Sequence, residues 1–138
     1  MRRQVLAFLA LALLAGAAAA QQEDRAVYHF SDGLEQASNG LRNIGNHLEV
    51  DPKAKIVAVA HARGVDFLMK GARDKNGAKF EDLVEQLADR GVTFEVCEIT
   101  LRNRKLAKDQ FIPVVTFVPS GVQEVSRRQH QGYSYIKP

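Results

Sequence analysis

The chain has 138 residues, 46% apolar and 25% charged, with a formal charge of +3 from 19 Lys/Arg against 16 Asp/Glu. That length fits one domain, and the composition excludes disordered, collagenous and disulfide-scaffold classes. Arg2 and Arg3 fall in a segment expected to be removed, which leaves a charge of about +1 with Lys and Arg interspersed among Asp and Glu; a nucleic-acid binder needs a one-sided basic face, so no nucleic-acid partner is expected.

Arg2 and Arg3 form a positively charged start, Val5 to Ala20 is apolar apart from Gly16, and Ala18-Ala19-Ala20 precedes Gln21. This is the pattern of a secretory signal peptide over residues 1–20, with cleavage near Gln21. The run falls short of the roughly 20 apolar residues that a membrane span needs, so no span is expected after cleavage. The mature domain is then 22–138, and its expected location is the periplasm. Cys97 is the only cysteine, so no internal disulfide is possible. In an oxidising compartment such a residue is buried and inert, paired with another molecule, or reactive.

Arg25 to Phe30 reads as a first strand, followed by the turn or cap cluster Ser31-Asp32-Gly33. Leu34, Ala37, Leu41, Ile44 and Leu48 recur at helical spacing, and Asp51-Pro52 ends that helix. Lys55 to His61 is a second strand whose apolar run is continuous, as in a parallel sheet buried on both faces. A short helical piece is expected over Val65 to Met69. Phe80, Leu83, Val84 and Leu87 mark a second helix, with Gly91 as its cap. Val92 to Cys97 is a third strand, and Thr100 is placed to cap a helix reaching about Lys108. Ile112 to Val118 reads as a fourth strand, Val122 to Gln131 as a last helix, and Tyr133 to Ile136 as a fifth strand. The charged stretches Arg102–Lys105 and Arg127–Arg128 read as solvated helix faces.

Alternation of strand and helix implies an α/β sandwich of three layers around a mostly parallel sheet of about five strands. Ligands in such sheets bind beyond the carboxyl ends of the strands. The second strand ends in His61, the third in Cys97, so both are expected on one edge. A helix beginning near Thr100 and a neighbouring imidazole would lower the thiol's pKa, whereas Glu98 would raise it. An inert core thiol and a silent structural histidine are the alternatives. His29, His61 and Cys97 together supply N and S donors, but they are scattered, and no metal or cofactor is expected. Tyr133, Tyr135 and Phe117 suit a pocket wall, the core or an interface. No dinucleotide-type glycine loop and no nucleophile-elbow serine is present.

Several segments, in order, resemble the DsrE/DsrF-like family in its secreted branch: Val57 through Val65 around His61, Leu87 through Phe94 leading to Cys97-Glu98-Ile99-Thr100-Leu101, Val118-Pro119-Ser120-Gly121-Val122, and Gln131 through Pro138. The resemblance implies a Rossmann-like, flavodoxin-like fold, assembly as a homotrimer or homohexamer, and sulfur carried as a cysteine persulfide between donor and acceptor proteins. By that resemblance Cys97 is the sulfur-carrying residue and His61 the strand-end histidine. The family often has Gly where Ala62 stands and Asn where Ile99 stands. The expected function is therefore a periplasmic persulfide carrier; the alternative is an oligomeric binding module with an inert Cys97, and a strand-edge enzyme is a third reading.

Overall fold

The computed structural model describes residues 21–138; the expected signal peptide lies outside the described residues. Five strands, β1 (Arg25–Phe30), β2 (Lys55–Ala60), β3 (Thr93–Cys97), β4 (Thr116–Val118) and β5 (Ser134–Ile136), form one sheet in the order β4-β3-β2-β1-β5. Every pairing is parallel. The central strand is β2, and its five residues Ile56–Ala60 are all buried, as its unbroken apolar run requires.

The chain steps from β1 to β4 in one direction and then returns across the sheet to β5. Right-handed crossovers therefore put α1 (Leu34–Val50) and α2 (Phe80–Asp89) on one face and α4 (Gly121–His130) on the other. Tyr28, Phe30, Ile56, Ala58, Phe94 and Val96 face the first layer and meet Leu41, Ile44, Val84 and Leu87. Phe67 joins this core, with its ring 5.0 Å from Phe30 and 6.0 Å from Phe80. Val27, Val57 and Val59 face the other way and pack on Val125 of α4. No helix among the described residues is long and apolar enough to cross a membrane.

Three local expectations need correction. The fourth strand is only Thr116–Val118. Pro113 has no N–H to give a ladder, and Phe111 instead bridges Met69 antiparallel while the Ile112 N–H bonds the Leu68 carbonyl at 2.9 Å. The helical piece at Val65 is a 3-10 helix that starts earlier, at Ala62, and ends at Leu68. The helix after the third strand, α3 (Glu98–Arg104), is capped by Cys97 and not by Thr100. Gly40, inside α1, is needed there, because a Cβ on it would lie 2.3 Å from the Phe30 ring and 2.9 Å from Pro138.

Candidate functional site

Parallel pairing sets Ala60 beside Val96, so the next residues, His61 and Cys97, emerge side by side at the carboxyl edge. Gly121, the first residue of α4, closes over them. A Cβ on Gly121 would lie 3.0 Å from the His61 Cβ and 3.2 Å from the Cys97 Cβ. Only glycine lets the α4 backbone approach this closely. Both residues line a cavity of about 390 Å³, together with Arg63, Thr100, Arg104 and Ser120 among others.

Cys97 is 4% exposed, and burial alone would push its thiol up. The net shift is nevertheless downward. The backbone N–H groups of Gly121, Thr100 and Ile99 and the Thr100 hydroxyl lie around the sulfur and together outweigh the burial, without any of them forming a full hydrogen bond to it. The same Thr100 oxygen accepts the Ala62 N–H at 2.8 Å, which ties the thiol's environment to the turn after β2. Ala62 itself sits in the left-handed region at φ 51°. Arg104 holds that turn from outside, donating to the Ala62 carbonyl at 2.9 Å and to Asp66 at 2.6 Å. Glu98 does not bear on the sulfur as expected from its position in the chain; its carboxylate pairs with Lys108 at 2.8 Å. His61 is likewise absent from the groups that lower the thiol, although it shares the cavity.

His61 is bonded instead to His29. The two Nε2 atoms are 2.6 Å apart, and the rings stack at 24° with centroids 4.9 Å apart. The outer nitrogen of His29, Nδ1, lies 2.7 Å from the Tyr135 hydroxyl. Burial is the main cause that lowers His29, to about 4, followed by His61 and Lys137. Burial and then Lys137 lower His61, with Asp32 opposing. Two nitrogens each about 2.0–2.1 Å from a tetrahedral zinc would stand well over 3 Å apart. The 2.6 Å separation is that of a shared hydrogen. Among the described residues no group of three metal-ligating side chains converges. The roles of His29 and Tyr135 escaped the sequence reading because they depend on β5 pairing beside β1, which strand order alone decides.

A second polar cluster lies under α4, away from the cavity. Arg128 donates to Glu95 at 2.6 Å and to Glu124 at 2.7 Å, and both carboxylates are buried. Arg128 is therefore not a solvated helix residue, as its position in the sequence had suggested. Tyr133 packs on this side, with the Arg128 guanidinium 5.4 Å from its ring centre. Phe117 stands instead against Phe111 on the opposite face.

Solved structures similar to this fold include the following two. A protein of unknown function, MTH1491 from Methanobacterium thermoautotrophicum, is 31% identical with a TM-score of 0.74, over 84% of this chain and 100% of that one. The ychN protein from E. coli is 14% identical with a TM-score of 0.69, over 83% and 99%, and shows likeness of fold alone. A comparison with the curated proteins finds no match. The model of the DsrE/DsrF-like family matches residues 7–138, nearly the whole sequence. With a parallel α/β sheet of the expected kind and a strand-end cysteine in the expected place, the chain belongs to the DsrE/DsrF-like family.

Proposed function

We infer that this protein is an exported sulfur carrier that holds sulfane sulfur as a persulfide on Cys97 and passes it between donor and acceptor proteins in the periplasm. The observation that carries this reading is the placement of the sulfur: Cys97 stands at the carboxyl end of its strand, on the cavity wall beside His61 and under the start of α4, in surroundings that favour the thiolate. The thiolate is the form that attacks a sulfur donor, and an anion-favouring site stabilises it both before attack and after release. Family membership supports the same chemistry, and the start of the sequence supports export.

The 4% exposure of Cys97 favours a second reading, a binding module in which the cysteine only fills space. One experiment separates the two. Mature protein is incubated with polysulfide or thiosulfate and its mass measured, with alkylation rates followed against pH. The carrier gains one or more sulfur atoms on Cys97, and its thiol titrates below the unperturbed value of about 8.5. Thr100→Val raises that midpoint by removing one donor, whereas Glu98→Gln leaves it in place. A thiol that gains no sulfur and alkylates only on denaturation establishes the module.

A further inference from the structure

Handing sulfur onward makes a demand that Cys97 does not meet by itself. The outer sulfur of a persulfide is more acidic than a thiol. Deprotonated, it carries a negative charge that repels an incoming thiolate; with a hydrogen on it, it is an electrophile. The donors around Cys97 favour anions, so the hydrogen must come from a neighbouring acid. Arg63 and Arg104 line the cavity but do not release protons near neutral pH. His61 is the imidazole on that wall.

Its Nε2 is engaged by His29 at 2.6 Å, and its other nitrogen, Nδ1, has no hydrogen-bond partner among the described residues. His29 in turn reaches the Tyr135 hydroxyl at 2.7 Å, and Tyr135 is 44% exposed. The chain of bonds thus runs from solvent to His61 on the cavity wall, and with each group donating inward His61 can give a hydrogen from Nδ1 as it takes one at Nε2 from His29, which is refilled through Tyr135. We propose that Tyr135, His29 and His61 form a proton wire from solvent to the Cys97 cavity, with His61 protonating the outer sulfur of the persulfide and His29 acting as a positioning residue that fixes the tautomer of His61 and reloads it. The wire rests on the carrier reading.

The step balances as follows. The acceptor thiolate attacks the protonated outer sulfur, and a new S–S bond forms. The bond between that sulfur and Cys97 Sγ breaks, and its electron pair stays on Sγ as a thiolate facing the N–H donors. The outer sulfur leaves with its hydrogen as the acceptor's persulfide. The acceptor sulfur moves from the thiolate to the persulfide level as the Cys97 sulfur moves back the other way, so the transfer is redox-neutral and no other oxidant or reductant takes part. The charged groups facing the imidazoles are Lys137 and Asp32, themselves 3.5 Å apart, with Arg63 and Arg104 at the cavity and Cys97 from β3. From α4 the cavity receives the uncharged Ser120 cap and Val122. Both rings are lowered and so neutral near pH 7, which suits a path that passes a hydrogen without storing charge.

The test uses mature protein loaded on Cys97 from polysulfide, with the loaded fraction read by intact mass. Release to 2-mercaptoethanol is timed per loaded molecule across the neutral pH range. His61→Ala and His29→Ala slow release, His61→Ala by about a hundred-fold, the low end for a lost general acid, and free imidazole in the buffer restores it. Tyr135→Phe, which keeps the ring and so the packing, slows release several-fold, and most at high pH where hydrogens are scarce. Variants that release at the wild-type rate overturn the wire, as does a slowing that is uniform with pH and unmoved by imidazole. A wild-type Cys97 that takes up no sulfur overturns the carrier reading and the wire with it; normal loading with unaffected variants overturns the wire alone.

Discussion

Ala62 holds a backbone conformation that its side chain resists. At φ 51° an L-residue crowds its own carbonyl, at a cost of roughly 1–2 kcal/mol, and glycine avoids most of this. Two bonds pin the residue there: its N–H to Thr100 and its carbonyl to Arg104. This explains why glycine often stands after the histidine in the resembling family, and why the departure at Ala62 leaves the turn intact. Ala62→Gly should therefore stabilise the domain by about 1 kcal/mol, less the added freedom of the unfolded chain, and raise Tm by a few degrees. Thermal unfolding of the two proteins decides it, and an unchanged or lower Tm counts against the strain. At this scale much of the site was legible. His61 and Cys97 were placed together by assuming only that strand ends share an edge. The hydroxyl of Thr100 was misread as a helix cap because a cap and a buried tie to another loop leave the same trace in sequence. The part played by Gly121 left no trace in the sequence, since its contact with two distant Cβ atoms exists only after α4 docks.

At the scale of elements, α4 is the one helix over its face of the sheet, and an ion cluster fastens it. Arg128 bridges Glu95 on β3 and Glu124 on α4, while Arg127 binds Glu124 from the solvent side. One oxygen of Glu95, Oε2, is buried without a partner, and burial pushes this carboxyl up despite the guanidinium. Removing one member of a buried pair leaves the other charge stranded, typically at 3–5 kcal/mol. Arg128→Ala should cost about that much in urea denaturation at neutral pH, whereas Arg127→Ala, at a solvent-exposed side chain, should cost far less. The pH dependence has a definite sign. A carboxyl raised in the folded state binds its proton more tightly there, so folding is penalised as pH climbs above the unfolded value of about 4.3. The Arg128→Ala defect should thus shrink on acidification as Glu95 takes up a proton. Equal losses for the two arginines would show that the cluster does not pin the helix. Pattern revealed α4 but not this fastening: Glu95 alternates with the apolar Phe94 and Val96, which marks it as solvent-facing until a helix covers that face.

For the molecule as a whole, the two faces are unequally covered. The first face carries α1, α2 and the 3-10 helix, while the other carries only the ten residues of α4. Strand number and parallel pairing were legible from the alternation of elements, because each helix must return the chain to the same end of the sheet. The strand order was not, since every crossover direction satisfies the same pattern. Around the cavity end Val122 is 62% exposed and Ile99 39%. Apolar side chains grouped at one end of a small domain favour association when they form a continuous patch. We propose that the protein assembles with copies of itself through this end, as a trimer or hexamer. A stable assembly needs roughly 1,200 Å² or more of total buried area, beyond what these two side chains supply, so neighbouring polar surface must join the contact. Sedimentation at micromolar concentration should show the oligomer, and Val122→Asp should move it to monomer with an unchanged circular dichroism spectrum. A wild-type monomer at that concentration refutes the assembly. Because Val122 and Ile99 also line the Cys97 cavity, assembly through them would narrow the mouth of the cavity. The Val122→Asp monomer should then alkylate Cys97 faster than the assembled wild type, a result that a distant interface would not produce.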